Sequence, residues 1–226
     1  MAKTKKVKST DAVKIVEIHP LNRKKLKIHI VGDSPLYIHR LPTKLKIEFE
    51  ARNSGKAMPK NKIRNRQQEF CESLYWLDKD GNEIPCGDKT IKHKYWGFPA
   101  SGFKKAAISA CRSFKGIKMT EIRGAFHVNG RYVMIKGKPK IQQEQGCDGI
   151  WVREGGKGPG TGTPNIRYRA EFSKWSAVLD ITYNANMISA DQLYNLFNTA
   201  GFSVGVGEDR PDKSGGTGGM FYVECS

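Results

Sequence analysis

Residues 175–223 constrain the fold more than any other stretch of the chain. Trp175, Ala177, Leu179, Ile181 and Tyr183 recur at every second position, a period that predicts a strand over 175–183 with one buried face. Ser189 and Gln192 then stand at capping-box spacing. Leu193, Leu196, Phe197 and Ala200 share one helical face, so a helix is predicted over 189–200 with Gly201 at its C-terminal cap. Residues 201–219 hold seven glycines with Arg210 and Lys213, and residues 220–223 read as a closing strand. Such a loop has little to pack. Unshielded backbone N–H groups and two cations suit it to an anion.

The charge balance makes that anion a polymer. The 226 residues carry a formal charge of +17 and a pI near 9.7. An excess of this size works against the compact state by self-repulsion, and a polyanionic partner accounts for it. Residues 1–70 hold eighteen Lys/Arg against six Asp/Glu, so twelve of the seventeen net charges lie in the first third. The five cysteines are odd in number and show no metal-ligand spacing, which predicts reduced thiols rather than disulfides or zinc. Cys111 falls on an apolar helix face and reads as core. No apolar run reaches membrane-spanning length, and no hydrophobic leader follows the lysine-rich start. A soluble, unexported protein is expected, without membrane partners.

Along the chain, residues 1–10 read as a flexible basic arm and 11–226 as one domain. A short strand is predicted over 13–18. Leu26, Ile28 and Ile30 alternate with Lys27 and His29, a half-buried strand with a basic outer face. Residues 36–40 follow the Gly32–Pro35 turn. Residues 51–68 are rich in Lys and Arg and poor in apolar side chains; they and the turn-rich stretch after them form an insertion over about 51–97. From Pro99, Phe103, Ala106, Ala107, Ala110, Cys111 and Phe114 make one apolar stripe, which predicts a helix. Residues 122–128, Asn129-Gly130 and residues 131–135 read as a β-hairpin. A second insertion spans about 137–165, with five glycines between 155 and 162. Two amphipathic helices among such strands predict an α+β protein with a ferredoxin-like β-α-β-β-α-β core and two basic, loop-rich insertions.

Two pieces carry a family likeness. The run Phe98-Pro99-Ala100-Ser101-Gly102-Phe103-Lys104-Lys105-Ala106 resembles the start of the first helix in the repeat-associated mysterious protein (RAMP) superfamily, the RNA-binding backbone subunits of CRISPR effector complexes. Residues 205–211 and 218–221 resemble that superfamily's glycine-rich loop before its final strand. At finer grain, residues 26–223 are similar to a family of uncharacterised bacteriophage early-region proteins, through Pro35-Leu36 with His39, Gly55-Lys56-Ala57, Phe98 to Lys104, Arg167-Tyr168-Arg169 with Phe172 and Trp175, and residues 200–211. The resemblance implies an RRM- or RAMP-like ferredoxin fold, single-stranded RNA or DNA as ligand, side-by-side homo-oligomers or filaments along it, and the cytoplasm of a bacterial host.

The candidate phosphate-binding residues are Lys56, Lys60, Lys62, Arg64 and Arg66 of the basic insertion, Lys104, Lys105 and Arg112 of the first helix, Arg167 and Arg169, and Gly205, Gly207, Arg210 and Lys213 of the glycine loop. Trp96 and Phe98 are candidates for base stacking. Of the five histidines only His39, after a Pro-Leu turn and beside Arg40, is placed for a polar partner, and a structural role is favoured for it. Asp209 and Asp212 could hold Mg²⁺, but pairing with Arg210 and Lys213 is simpler. No Walker motif, nucleophile elbow or zinc spacing is present, so no enzyme, metal or cofactor is expected. The reading is a non-enzymatic protein that binds single-stranded nucleic acid. The alternatives are an anti-CRISPR-type interaction protein that imitates a backbone subunit to occupy a host defence complex, and a metal-dependent nuclease.

Overall fold

The computed structural model describes residues 20–55, 65–86, 94–141, 150–155 and 162–224, with residues 150–155 and 162–167 described by backbone alone. The described residues open with β1 (Arg23–Gly32) and β2 (Leu36–Ile38), then α1 (Thr43–Asn53) and α2 (Arg66–Ser73). Next come β3 (Tyr75–Leu77), β4 (Tyr95–Pro99), α3 (Ala100–Ala110) and α4 (Met119–Ala125). The middle holds β5 (Phe126–Val128), β6 (Tyr132–Gly137), β7 (Lys140–Ile141), β8 (Ile150–Gly155), β9 (Gly162–Arg167) and β10 (Ala170–Phe172). It closes with β11 (Trp175–Asn184), α5 (Ala190–Ser203), α6 (Pro211–Ser214) and β12 (Phe221–Val223).

The fold is α+β. A seven-stranded sheet runs β12-β1-β11-β6-β4-β3, with β5 also paired to β11. Strands β2, β10 and β7 form a second sheet, and β8 pairs β9 in a ribbon. All these pairings are antiparallel. The alternation read from the sequence sets the faces: Ile28 lies opposite Leu179 and Ile30 opposite Ala177, all buried, while Lys27 and Asp180, the pair just before them in the register, are exposed. Helices α3 and α5 cover the buried face. Phe103, Phe126, Phe197 and Phe221 are fully buried between the layers, and edge-on ring contacts link Phe98, Phe103, Phe221 and Trp175 at 5.5 to 6.1 Å. Helix α3 lies between β1 and β5 in the chain, and α5 between β11 and β12.

Four sequence expectations change. The predicted hairpin is a single strand course with a bulge. Both β5 and β6 run antiparallel to β11; Val128 faces Ile181 and Ile135 faces Ala177, so seven steps on one side oppose four on the other. The three extra residues bulge at 129–131, where Gly130 takes φ 81° and the Asn129 amide holds the Thr182 hydroxyl at 2.9 Å. Residues 122–125 belong to α4 instead. Secondly, α5 runs on to Ser203, and Gly201 is an interior residue on which β12 lies too close for any side chain. Its capping box, Ser189 with Gln192, is as predicted. Thirdly, β3 and the first three residues of β4 fall within the stretch read as insertion 51–97, yet extend the main sheet beyond β6. Finally, Cys71 and Cys86 form a disulfide, against the expectation of reduced thiols. The chain turns back after β3, with the Ile84 N–H donating to the Trp76 carbonyl at 2.8 Å, and so returns Cys86 to the end of α2. Cys111 is a buried free thiol whose pKa burial pushes up. Among the described residues no helix is long and apolar enough to cross a membrane. The strand predicted over 13–18 lies outside the described residues, as does the basic arm.

Candidate nucleic-acid interface

The glycine loop is a fitted piece of architecture. The Val206 N–H donates to Gly219 O (3.0 Å), Glu208 N–H to Tyr37 O (2.9 Å), Gly218 N–H to Asp209 O (2.9 Å) and Gly219 N–H to Pro35 O (2.7 Å). The bonds to Tyr37 and Pro35 pin the loop to β2 and to the turn before it, and the other two close the loop on itself. Gly207 has φ 85°, and a Cβ there would stand 2.5 Å from the Tyr37 carbonyl oxygen, so only glycine lets the two backbones meet. The loop amides that the sequence suggested for phosphates are in large part spent on this packing. Gly205 likewise donates to Ala200 O at 2.9 Å.

Between this loop and the first turns of α3 lies a cleft of about 270 Å³. Phe98, Gly102 and Lys105 line one side; Gly205, Gly207, Arg210 and Lys213 line the other; His39 and Tyr75 stand at the end. Two sequence motifs a hundred residues apart therefore meet. Two acids also line the cleft, Glu208 and Asp212, and each is held by a cation from outside the lining. Arg169, 5% exposed, donates Nε to Glu208 at 2.6 Å. Arg112 Nη1 reaches Asp212 at 3.3 Å. Lys105 and Lys213 are exposed and in no ion pair among the described residues. The net field of the cleft is thus positive.

The other candidate residues separate. Arg169 is a buried counter-charge rather than a phosphate ligand, and Arg112 is committed to Asp212. Lys104 lies off the cleft, 3.0 Å from His127 Nδ1 and over the Phe126 ring, and burial, then the Arg123 charge, lower its pKa. Arg66 stands over the Tyr168 ring at 6.0 Å, away from the cleft. Arg210 lines the cleft but donates Nη1 to the Gly207 carbonyl at 2.9 Å, so it also staples the loop. Trp96 is no base platform: its register opposite Ile135 turns it inward against Trp76 and Phe172, its indole N–H buried without a partner among the described residues. Phe98 keeps an edge in the cleft. Lys56, Lys60, Lys62 and Arg64 lie outside the described residues, and Arg167 is described only as the end of β9.

Sequence reasoning missed Glu208 and Tyr75. His39, marked for a polar partner, has one: Nδ1 lies 3.7 Å from Glu208. Asp209 accepts from the Ser214 hydroxyl at 2.9 Å rather than pairing with Arg210. Among the described residues no three His, Cys, Asp or Glu side chains gather as a metal would need. Beside the cleft, Glu83 accepts from Arg40 Nε at 2.8 Å and Tyr132 OH at 2.5 Å. Burial alone would raise its pKa, but hydrogen bonds from Tyr132 and Arg40, with the Arg40 and Arg131 charges, hold it below the ordinary value. Burial, and Glu83 as acceptor, push the Tyr132 phenol up to about 12.

No protein-family model matches the chain, and no curated protein sequence does. Among solved structures it is similar to Cmr6 from Pyrococcus furiosus, at 10% sequence identity over 90% of this chain and 98% of that one, with a TM-score of 0.39. A likeness this loose fixes neither topology nor ligand.

Proposed function

We propose that the chain binds single-stranded nucleic acid in the cleft between α3 and the glycine loop, without catalysing a reaction on it. The observation that carries this is the charge arrangement: Arg169 and Arg112 neutralise the cleft's two acids, which leaves Lys105 and Lys213 lining it with no ion pair among the described residues. Two ammonium groups on opposite walls suit consecutive phosphates of a strand threaded between them. A space of about 270 Å³ admits a segment of one strand, not a duplex. The Phe98 ring edge offers an apolar contact, and little base specificity follows, since phosphate contacts position a strand without reading it. His39, the histidine of the cleft, faces a carboxylate already held by Arg169, which favours binding over acid–base chemistry. In this proposal β1, β5 with β6, β11 and β12 carry α3 and α5 as a ferredoxin-like core, in the order β12-β1-β11-β5.

The test is oligonucleotide binding by Lys105→Ala and Lys213→Ala. Each charge-assisted phosphate contact is worth about 1.5–3 kcal/mol, so each variant should weaken binding about tenfold or more with the melting temperature unchanged. Unaltered binding by the double variant would place the interface elsewhere.

A further inference from the structure

The helices cover one face of the main sheet; among the described residues the other face carries exposed side chains on β12, β1, β11 and β6, while Leu77 at its β3 end is fully buried. On β1, Lys25, Lys27 and His29 are exposed while Ile28 and Ile30 are buried. The same alternation turns Met134 and Lys136 of β6 and Tyr222 of β12 outward; Tyr222 is 47% exposed. The register sets a row across four strands: Tyr222 opposite Val31, Val31 opposite Ser176, Ser176 opposite Lys136. At about 4.8 Å per strand, Tyr222 and Lys136 stand about 14 Å apart. Lys138 lies just beyond the end of β6 and Lys174 just before β11, both exposed. Among the described residues Lys136, Lys138 and Lys174 are in no ion pair. The acids of this face lie off the row, Asp180 opposite Lys27 and Glu224 beside His29, each next to a basic side chain of β1.

A solvated sheet face needs polar side chains, but it does not need an exposed phenol ring at one end of a row and three unpaired lysines at the other. That pairing of ring and cations matches a ligand with flat apolar faces strung on phosphates. We propose that this row is a second contact surface for single-stranded nucleic acid, with a base stacked on Tyr222 and the neighbouring phosphates met by Lys136, Lys138 and Lys174. It rests on the reading that the chain binds single strands, and adds a surface on the sheet face opposite the helices. A duplex presents no unstacked base to the ring, and an acidic protein would need the lysines but not the tyrosine.

Fluorescence anisotropy on the full chain tests it, with a mixed-sequence single-stranded thirty-mer and an abasic strand of the same length. Tyr222→Ala should weaken the base-bearing strand about 5- to 150-fold and leave the abasic strand unaffected, while Tyr222→Phe keeps both affinities. Photocrosslinking of the wild-type chain to a 5-iodouracil strand should label the peptide that contains Tyr222, a readout independent of any variant's folding. Two results overturn the proposal: crosslinks confined to cleft peptides, or unchanged affinity in Tyr222→Ala where Lys105→Ala with Lys213→Ala weakens binding. Either of these leaves the cleft reading standing, whereas absence of any binding by the wild-type chain removes both.

Discussion

The cleft depends on single charges that the fold has already assigned. Arg169 is almost wholly buried and Glu208 is its carboxylate. Removing one partner of a buried pair strands the other, which costs roughly 3 kcal/mol or more. Glu208→Ala should therefore lower the melting temperature markedly, measured by thermal denaturation, whereas Lys105→Ala should not. The Glu83 network adds a pH dependence. Its carboxyl titrates lower in the folded chain than in the unfolded one, so the unfolded state takes up the proton first and stability falls as the pH drops below the ordinary glutamate value. Tyr132 gives the opposite limb. Its pKa is raised from 10.0 to about 12, so the unfolded state loses its proton first and stability falls as the pH climbs between those values. Denaturation followed across pH should show both limbs in the wild type; Glu83→Gln should flatten the acid one and Tyr132→Phe the alkaline one.

At the level of elements, the stripe Leu193, Leu196, Phe197 and Ala200 is buried against the sheet as its period required. Leu196→Ala should cost about 2–5 kcal/mol of folding stability, read by chemical denaturation, without a direct effect on the cleft. Gly207→Ala should also destabilise, because it forces φ 85° on a residue with a Cβ aimed at the Tyr37 carbonyl. Local periodicity made β1, α3, β11 and α5 legible, since each buries one face at its own repeat. Asn129-Gly130 misled because the same dipeptide that reverses a hairpin can also host a bulge; which one forms depends on β11, more than forty residues later. Trp96 misled for a related reason. Its direction is set by register with β6, which no local pattern encodes. Gly201 looked like a cap because the sequence does not show that β12 presses on the helix there.

Across the whole molecule, the excess of seventeen positive charges pointed to a polyanion, but not to where it would lie. The candidate cleft became visible only when α3 and the glycine loop were brought together, because pairing with Glu208 and Asp212 took Arg169 and Arg112 out of the candidate phosphate-binding residues. Glu208 itself was illegible: a lone acid in a basic loop gives no sign that it will meet an arginine thirty-nine residues earlier. The central claim is that Lys105 and Lys213 neutralise phosphates of a single strand, and salt dependence measures that directly. Each phosphate neutralised on a single strand contributes about −0.7 to the slope of log K against log salt. With about five contacts the wild-type slope should lie near −3.5, and Lys105→Ala with Lys213→Ala should make it shallower by about 1.4. A double variant with the wild-type slope and affinity would contradict the account.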